Sequence, residues 1–79
     1  MALAMKVRTF KDVEVEGLGA AIRAAREADP RPVAELAKLA GISRGYWYDV
    51  EAENMRAALS LETLRAIEAA LGVDLGVNL

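Results

Sequence analysis

The side chains that most often carry catalysis are missing from this sequence. Its 79 residues include no cysteine and no histidine, which excludes disulfides, thiolate metal ligands, thiol nucleophiles and the usual proton-transfer group near neutral pH. Ser43 and Ser60 each stand where a helix is expected to begin, and neither has a neighbouring base that would activate its hydroxyl. We therefore expect no enzyme activity, no cofactor and no bound metal.

The remaining chemically informative groups are aromatic and charged. Tyr46, Trp47 and Tyr48 are consecutive in a chain with only one further aromatic residue, a phenylalanine. Because successive residues of a helix point about 100° apart, the three rings cannot share one buried face. We expect Trp47 to lie in the core and both tyrosines to face outward.

Length and charge limit what the whole molecule can do. A chain of this length forms one domain, at the lower end of the size at which a core is stable without crosslinks. The net charge of −2 does not favour phosphate binding by the molecule as a whole, so any such binding depends on the charge of one face. No apolar run approaches the roughly 20 residues of a spanning helix, and no signal-peptide pattern opens the chain, so we expect a soluble, cytoplasmic protein with no membrane partner.

Residues 32–54 carry the spacing of two helices joined by a tight turn. The buried side of the first is marked by Val33, Leu36, Ala37 and Ala40. Pro32 is expected as its first residue and Gly41 as its left-handed end. Ser43 caps the second helix, and Asn54 is expected to end it. The inward-facing residues there are Ile42, Trp47 and Val50.

Two further helices and two extended ends complete the prediction. Leu18, Ile22 and Ala25 have helical spacing before Pro30, and Ser60 and Gly72 delimit a helix with apolar residues Leu61, Leu64, Ile67 and Leu71. Alternating apolar residues predict a strand near residues 5–10, and the tail alternates at Leu75, Val77 and Leu79. Pairing of these two segments would cover an exposed strand edge. The expected fold is an all-α domain of four to five helices over residues 17–73, with an N-terminal extension at 1–16 and a tail at 74–79 whose short strands can pair.

Several segments agree with a known family in both identity and spacing. They are Leu18-Gly19 with Ile22-Arg23 and Arg26, Leu36-Ala37 with Gly41-Ile42-Ser43-Arg44, Val50-Glu51, and Ser60-Leu61-Glu62-Thr63-Leu64 with Ala70-Leu71-Gly72-Val73. Over about residues 17–73 the chain resembles the phage repressor and Cro type of helix-turn-helix protein, also called Xre-like. The resemblance implies a lambda-repressor-like fold.

The resemblance also implies a sequence-specific transcriptional regulator that binds double-stranded DNA as a homodimer, with the third helix, about residues 43–53, in the major groove. The residues implied to face the bases are Arg44, Gly45, Tyr46, Tyr48 and Asp49. The Arg44 guanidinium is the strongest candidate, because such a group can bridge guanine O6 and N7 with two hydrogen bonds. Arg31 and Arg56 would contact phosphates.

Three positions depart from the family pattern. Val33 replaces a glutamine that often touches phosphate, Glu53 replaces a glycine near the DNA backbone, and Asp49 would repel phosphate unless it accepts a hydrogen bond from a cytosine amino group. Asp49 can instead pair with a neighbouring arginine. The alternative function is a protein-interaction module, in which Tyr46 and Tyr48 anchor a protein partner, such as a toxin, and the two acids select it.

The resemblance also implies one salt bridge that stabilises the fold. Arg26 and Glu51 correspond to a family pair that forms a partly buried salt bridge between the first and third helices. Removing either residue would leave an unpaired buried charge, which is costly. We therefore expect both to stabilise the fold and neither to contact a ligand.

Overall fold

Four helices and a small sheet make up the part of the chain that the computed structural model describes, residues 4–8 and 13–77. In chain order the elements are β1 (Ala4–Arg8), β2 (Val13–Glu16), α1 (Leu18–Ala28), α2 (Val33–Ala40), α3 (Arg44–Ala52), β3 (Leu59–Ser60) and α4 (Leu61–Leu71). The fold is therefore a mostly helical domain with short strands, as predicted, and the strands form a three-stranded sheet. No helix within these described ranges is long and apolar enough to cross a membrane.

The helices and the sheet share one apolar core. Its largest fully buried side chains are Trp47, Met5, Leu18, Ile22, Leu36, Leu59, Leu64, Ile67, Val7 and Val50. The predicted inward faces of all four helices supply most of these residues, because apolar side chains at helical spacing lie on one side of the cylinder. Trp47 is fully buried as expected, so α3 is fixed to the core by its largest side chain.

Most helix ends follow the sequence signals. The Ser43 Oγ accepts a hydrogen bond from the Tyr46 N–H at 3.0 Å, and the Ser60 Oγ accepts one from the Thr63 N–H at 3.1 Å. Gly41 ends α2 in the left-handed region, with φ of 75°. Pro32 differs slightly from its prediction, since it precedes the first helical residue instead of being it.

The end of α3 differs from the prediction. Glu53, and not Asn54, takes the left-handed conformation, with φ of 55°. The reason is a long-range contact: the Glu53 Oε2 accepts a hydrogen bond from the Gly19 N–H at 3.2 Å, at the start of α1. Because α1 has no side-chain cap of its own, this carboxylate satisfies one of its free backbone donors.

The sheet has the order β2-β1-β3 and joins the start of the chain to the helices. β1 pairs antiparallel with β2, placing Met5 opposite Val15, and parallel with β3, placing Val7 opposite Leu59. Met5 and Val7 face the core while the residues between and after them, Lys6 and Arg8, are exposed. This alternation is the one predicted for a strand near residues 5–10, although residues 9 and 10 lie outside the described ranges.

The predicted pairing of the tail with β1 is wrong. β2 and β3 occupy both edges of β1, and residues 73–77 form no strand. The tail is held on α4 instead: Arg65 Nη2 donates to the Val77 carbonyl at 2.9 Å, and the Leu75 N–H donates to Glu68 Oε2 at 2.8 Å. Val77 is nevertheless buried, so the apolar alternation of the tail reflects contact with the core. Leu79 lies outside the described ranges.

Candidate nucleic-acid interface

The turn between α2 and α3 is built from main-chain hydrogen bonds. The Gly41 N–H donates to the Lys38 carbonyl at 3.1 Å, and the Ile42 N–H donates to the Ala37 carbonyl at 3.0 Å. Gly41 closes this turn at low cost because it has no side chain to oppose a positive φ. The two helices therefore lie in the arrangement of a helix-turn-helix, with the capped start of α3 directly after the turn.

One side of α3 is buried and the other is exposed. Trp47 and Val50 are fully buried and attach the helix to the core. The exposed residues are Arg44, Gly45, Tyr48, Asp49 and Ala52, which we call the outward face of α3. Four of the five residues predicted to face bases are on it. The fifth, Tyr46, is half-buried and packs against the core.

Two charged residues of the outward face are not engaged by the fold. Arg44 is the first residue of α3 and Asp49 the sixth, and neither forms an ion pair with any residue that the structure describes. The predicted alternative for Asp49, a pair with a neighbouring arginine, is not formed within the described ranges. Both side chains therefore remain available to a ligand.

An open groove of about 630 Å³ adjoins the outward face. Its lining residues are Tyr46, Asp49, Asn54, Met55, Arg56 and Ala57. The structure thus brings together three of the predicted site residues, with a guanidinium and a carboxylate in the same groove. Asn54 and Met55 were not predicted as site residues; their position directly after the end of α3 is the signal that could have indicated them.

Arg31 does not line this groove, and its guanidinium is bonded within the fold. Its guanidinium donates to both Asp29 oxygens, at 3.0 and 2.7 Å, and to the Ala70 carbonyl at 2.8 Å, which ties the α1–α2 connection to the end of α4. Hydrogen bonds from Arg31 lower the pKa of Asp29 to about 2, and the same interaction raises the pKa of Arg31. The Arg31 charge is therefore largely compensated within the fold.

Behind the outward face, Glu51 joins α1 to α3. Its carboxylate accepts hydrogen bonds from Arg26 Nε at 2.5 Å, Arg26 Nη2 at 3.0 Å and Trp47 Nε1 at 2.7 Å. The Arg26–Glu51 pair that the resemblance implied is thus formed, and its hydrogen bonds raise the pKa of Arg26. The Arg26 guanidinium also lies 5.5 Å from the centre of the Tyr48 ring, a cation–π distance, so the buried pair contacts a residue of the outward face.

Glu53 occupies a different place from the one its sequence position implied. Its side chain turns inward to the Gly19 N–H and is only partly exposed. The expected unfavourable charge at the DNA-facing side is therefore reduced, because the carboxylate caps a helix of the same molecule. This contact also explains Gly19: a Cβ there would lie 2.8 Å from Glu53 Cγ and would collide with the Glu51 carbonyl.

The comparison with known families agrees with this geometry. A helix-turn-helix family model, of the Xre and lambda-repressor-like type, matches residues 22–78, which is most of the chain. The chain therefore belongs to this family, as the resemblance indicated. No curated protein and no solved structure matches the chain. The matched segment runs from within α1 to the tail, so β1 and β2 lie outside it.

Proposed function

We propose that the protein is a sequence-specific DNA-binding transcriptional regulator that places α3 in the major groove. The observation that supports this most strongly is the outward face of α3, which is exposed along its length while Trp47 and Val50 hold the helix on the core. A helix presented in this way, directly after a tight turn and a capped start, has the shape that the major groove accommodates. Membership of the helix-turn-helix family supports the same function.

Arg44 is the proposed base-reading residue on this face. It is exposed in the first turn of α3 and has no ion-pair partner among the described residues. A guanidinium can donate two hydrogen bonds to O6 and N7 of guanine, a contact worth about 1–3 kcal/mol of discrimination against other bases. We therefore assign to Arg44 the recognition of one base.

Arg56 and Lys38 are the proposed phosphate contacts. Arg56 lies in the connection between α3 and α4, where it lines the groove beside Asp49, and Lys38 is exposed near the end of α2. Among the described residues, neither is in an ion pair, whereas Arg23, Arg26, Arg31 and Arg65 are. Each phosphate contact adds a salt-dependent contribution to the DNA affinity. One copy with few free cations is therefore expected to bind DNA with modest affinity. We therefore propose a homodimer on two half-sites.

A second function is favoured by one specific observation. The exposed part of the outward face carries both a free carboxylate, Asp49, and the half-exposed ring of Tyr48. An aromatic ring beside an acid is a combination that also suits a protein partner, since aromatic residues are enriched in protein interfaces. In that case the chain is a protein-interaction module with weak DNA binding.

The test is selection of duplexes from a random library at two salt concentrations. Three proteins are compared: the unchanged chain, Arg44→Ala, and Lys6→Ala as a control that removes one exposed cation from β1. We expect the unchanged chain and Lys6→Ala to enrich the same two-fold related sites, and Arg44→Ala to lose the preference for one base pair of each half-site. Circular dichroism shows whether the variants keep their helices.

Two results would count against the proposal. Flat enrichment by the unchanged chain at both salt concentrations would remove the DNA-binding function and leave the interaction module. An unchanged base preference in Arg44→Ala would show that Arg44 does not read a base.

A further inference from the structure

Gly45 is not explained by the fold. It is the second residue of α3 and has no positive φ, so the backbone does not require glycine there. A Cβ at this position would meet no atom within 4 Å. Glycine nevertheless stabilises a helix less than alanine does, because it loses the most backbone freedom on folding. The described fold therefore does not require glycine at this position, and the absence of a side chain leaves the α3 backbone open to another molecule.

Asp49 is also unfavourable within the fold. It lies in the second half of α3, toward the end where the helix dipole is negative, and Glu51 and Glu53 follow close behind. In the described part of the chain its side chain forms no ion pair and no hydrogen bond. The position on the helix thus opposes this carboxylate, and no ion pair or hydrogen bond with a described residue offsets it, although Arg56 lines the same groove.

These two residues lie on one stripe of the outward face. Positions four apart are neighbours on a helix, so Gly45 stands directly before Asp49 on the same side. Where local rules are broken without compensation in the fold, the cause is often a binding site. A missing side chain followed by a short one lets another molecule approach the α3 backbone closely along this stripe.

The geometry points to a cytosine as the group that Asp49 binds; this inference rests on the proposed function. We propose that the Gly45–Asp49 stripe is the part of α3 closest to the base edges and that the Asp49 carboxylate accepts a hydrogen bond from a cytosine N4 amino group. In the major groove cytosine presents this donor with no acceptor beside it, whereas adenine places its N7 acceptor next to its amino group. A carboxylate, which only accepts, therefore prefers cytosine.

Arg44 reads a different base pair in the same half-site. Asp49 is five positions after Arg44, a rise of about 7.5 Å along the helix axis. Side chains separated by this distance along the helix reach different base pairs. Each half-site is therefore expected to hold a guanine bound by Arg44 and, in another base pair, a cytosine bound by Asp49.

The test is a change of base preference in Asp49→Asn, measured by selection from a random duplex library and by titration of the selected site. The asparagine amide donates to N7 and accepts from the N6 amino group of adenine, so one position should change from cytosine to adenine. We expect a preference of about 5- to 150-fold at that position, the range that one base contact provides. Glu16→Gln, which removes an exposed acid from β2, is the charge-matched control and should leave the selected sequence unchanged.

Gly45→Ala is a second and independent test. Its methyl group would occupy the stripe without touching the rest of the protein, so the helix should remain folded while affinity for the selected site falls. Unchanged affinity in Gly45→Ala would overturn the close approach along this stripe.

The outcomes separate this inference from the proposed function. If Asp49→Asn binds all duplexes more tightly and keeps the same base preference, Asp49 only repels phosphate, and the cytosine contact is wrong while DNA binding stands. If the unchanged chain selects no site, the proposed function fails and the inference fails with it. A change from cytosine to adenine confined to one position of each half-site supports both.

Discussion

Glu51 is an almost fully buried acid that joins α1 to α3. Its side chain is 6% exposed and accepts three hydrogen bonds, two from the Arg26 guanidinium and one from the Trp47 indole. The sequence could indicate the pair with Arg26 only through resemblance, because the two residues are 25 positions apart. The contact with Trp47 follows from local geometry, since positions four apart on a helix face the same side.

Glu51→Ala is expected to lower the free energy of unfolding by about 3 kcal/mol, because it leaves the Arg26 guanidinium and the Trp47 N–H without their acceptor. Thermal unfolding followed by circular dichroism measures the loss. Glu27→Ala is the matched control: Glu27 is paired with Arg23 on the exposed side of α1, and such a pair contributes at most about 0.5 kcal/mol. Equal melting temperatures for the two variants would show that the buried pair does not stabilise the fold.

The ion pair between Asp29 and Arg31 predicts a loss of stability in acid. Hydrogen bonds from Arg31 lower the pKa of Asp29 to about 2 from its ordinary 3.8. A carboxyl group whose folded pKa is depressed stabilises the fold fully above its unfolded pKa, and this contribution is lost as the pH falls from about 4 through 2. We expect Asp29→Asn to show a shallower decline of melting temperature over that window than the unchanged chain. Parallel declines would contradict the assigned pair.

At the scale of elements, the start of α1 packs closely against the end of α3. Gly19 lies so near to the Glu51 carbonyl and the Glu53 side chain that no Cβ fits between them. The same contact supplies the cap that α1 lacks, through the hydrogen bond from the Gly19 N–H to Glu53 Oε2. The position of α3, and with it the outward face, therefore depends on this junction.

Gly19→Ala should lower the free energy of unfolding by about 1–3 kcal/mol, because the helices must separate to admit a methyl group. Gly45→Ala is the matched control on α3, where a methyl group meets no neighbour. It should leave stability unchanged or raise it by up to about 1 kcal/mol, since alanine favours the helix. Urea unfolding of both variants provides the comparison, and a neutral Gly19→Ala would contradict the close contact.

The sequence predicted the helices better than the sheet, for physical reasons. Helix faces and ends are encoded locally, by apolar spacing and by caps such as Ser43 and Ser60, whose predicted hydrogen bonds are formed. Strand partners are not encoded in this way. The two residues Leu59 and Ser60 form β3 without any distinct strand pattern, and they occupy one edge of β1, the strand that the tail was predicted to join.

Parts of the candidate site were equally hard to predict. The exposure of Arg44 and Asp49 followed from helical spacing, because Trp47 and Val50 fixed the inward side of α3. The direction of Glu53 did not, because its partner, Gly19, is 34 residues away in sequence. The resemblance implied a phosphate contact for Arg31, and the sequence does not show that the turn after α1 brings its guanidinium to Asp29.

At the scale of the whole molecule, the charge distribution matters more than the net charge. The net charge of the chain is −2. Within the described ranges, four arginines are neutralised by ion pairs with acids of the same chain. Lys38 on α2, Arg44 on α3 and Arg56 in the connection after α3 are exposed cations outside those four pairs. Binding by one copy should therefore depend only moderately on salt, and a two-fold arrangement would double the number of contacts.

Arg56→Ala should change the salt dependence of DNA binding more than its base preference. A phosphate contact adds about −0.9 to the slope of log affinity against log salt concentration, so each copy of the variant should lose about one unit of slope. Arg44→Ala should instead flatten discrimination at one base position. Fluorescence titrations of the selected site at several salt concentrations measure both effects, and an unchanged slope in Arg56→Ala would remove its assigned phosphate contact.

The most direct test of the central claim, that the outward face of α3 enters the major groove, is dimethyl sulfate protection of a selected duplex. This reagent methylates guanine N7, an atom exposed in the major groove and one of the two that Arg44 is proposed to bind. We expect one guanine in each half-site to be protected by the unchanged chain and by Lys6→Ala, and to become reactive with Arg44→Ala at equal occupancy of the duplex. Protection of no guanine N7, or equal protection by Arg44→Ala, would contradict the account.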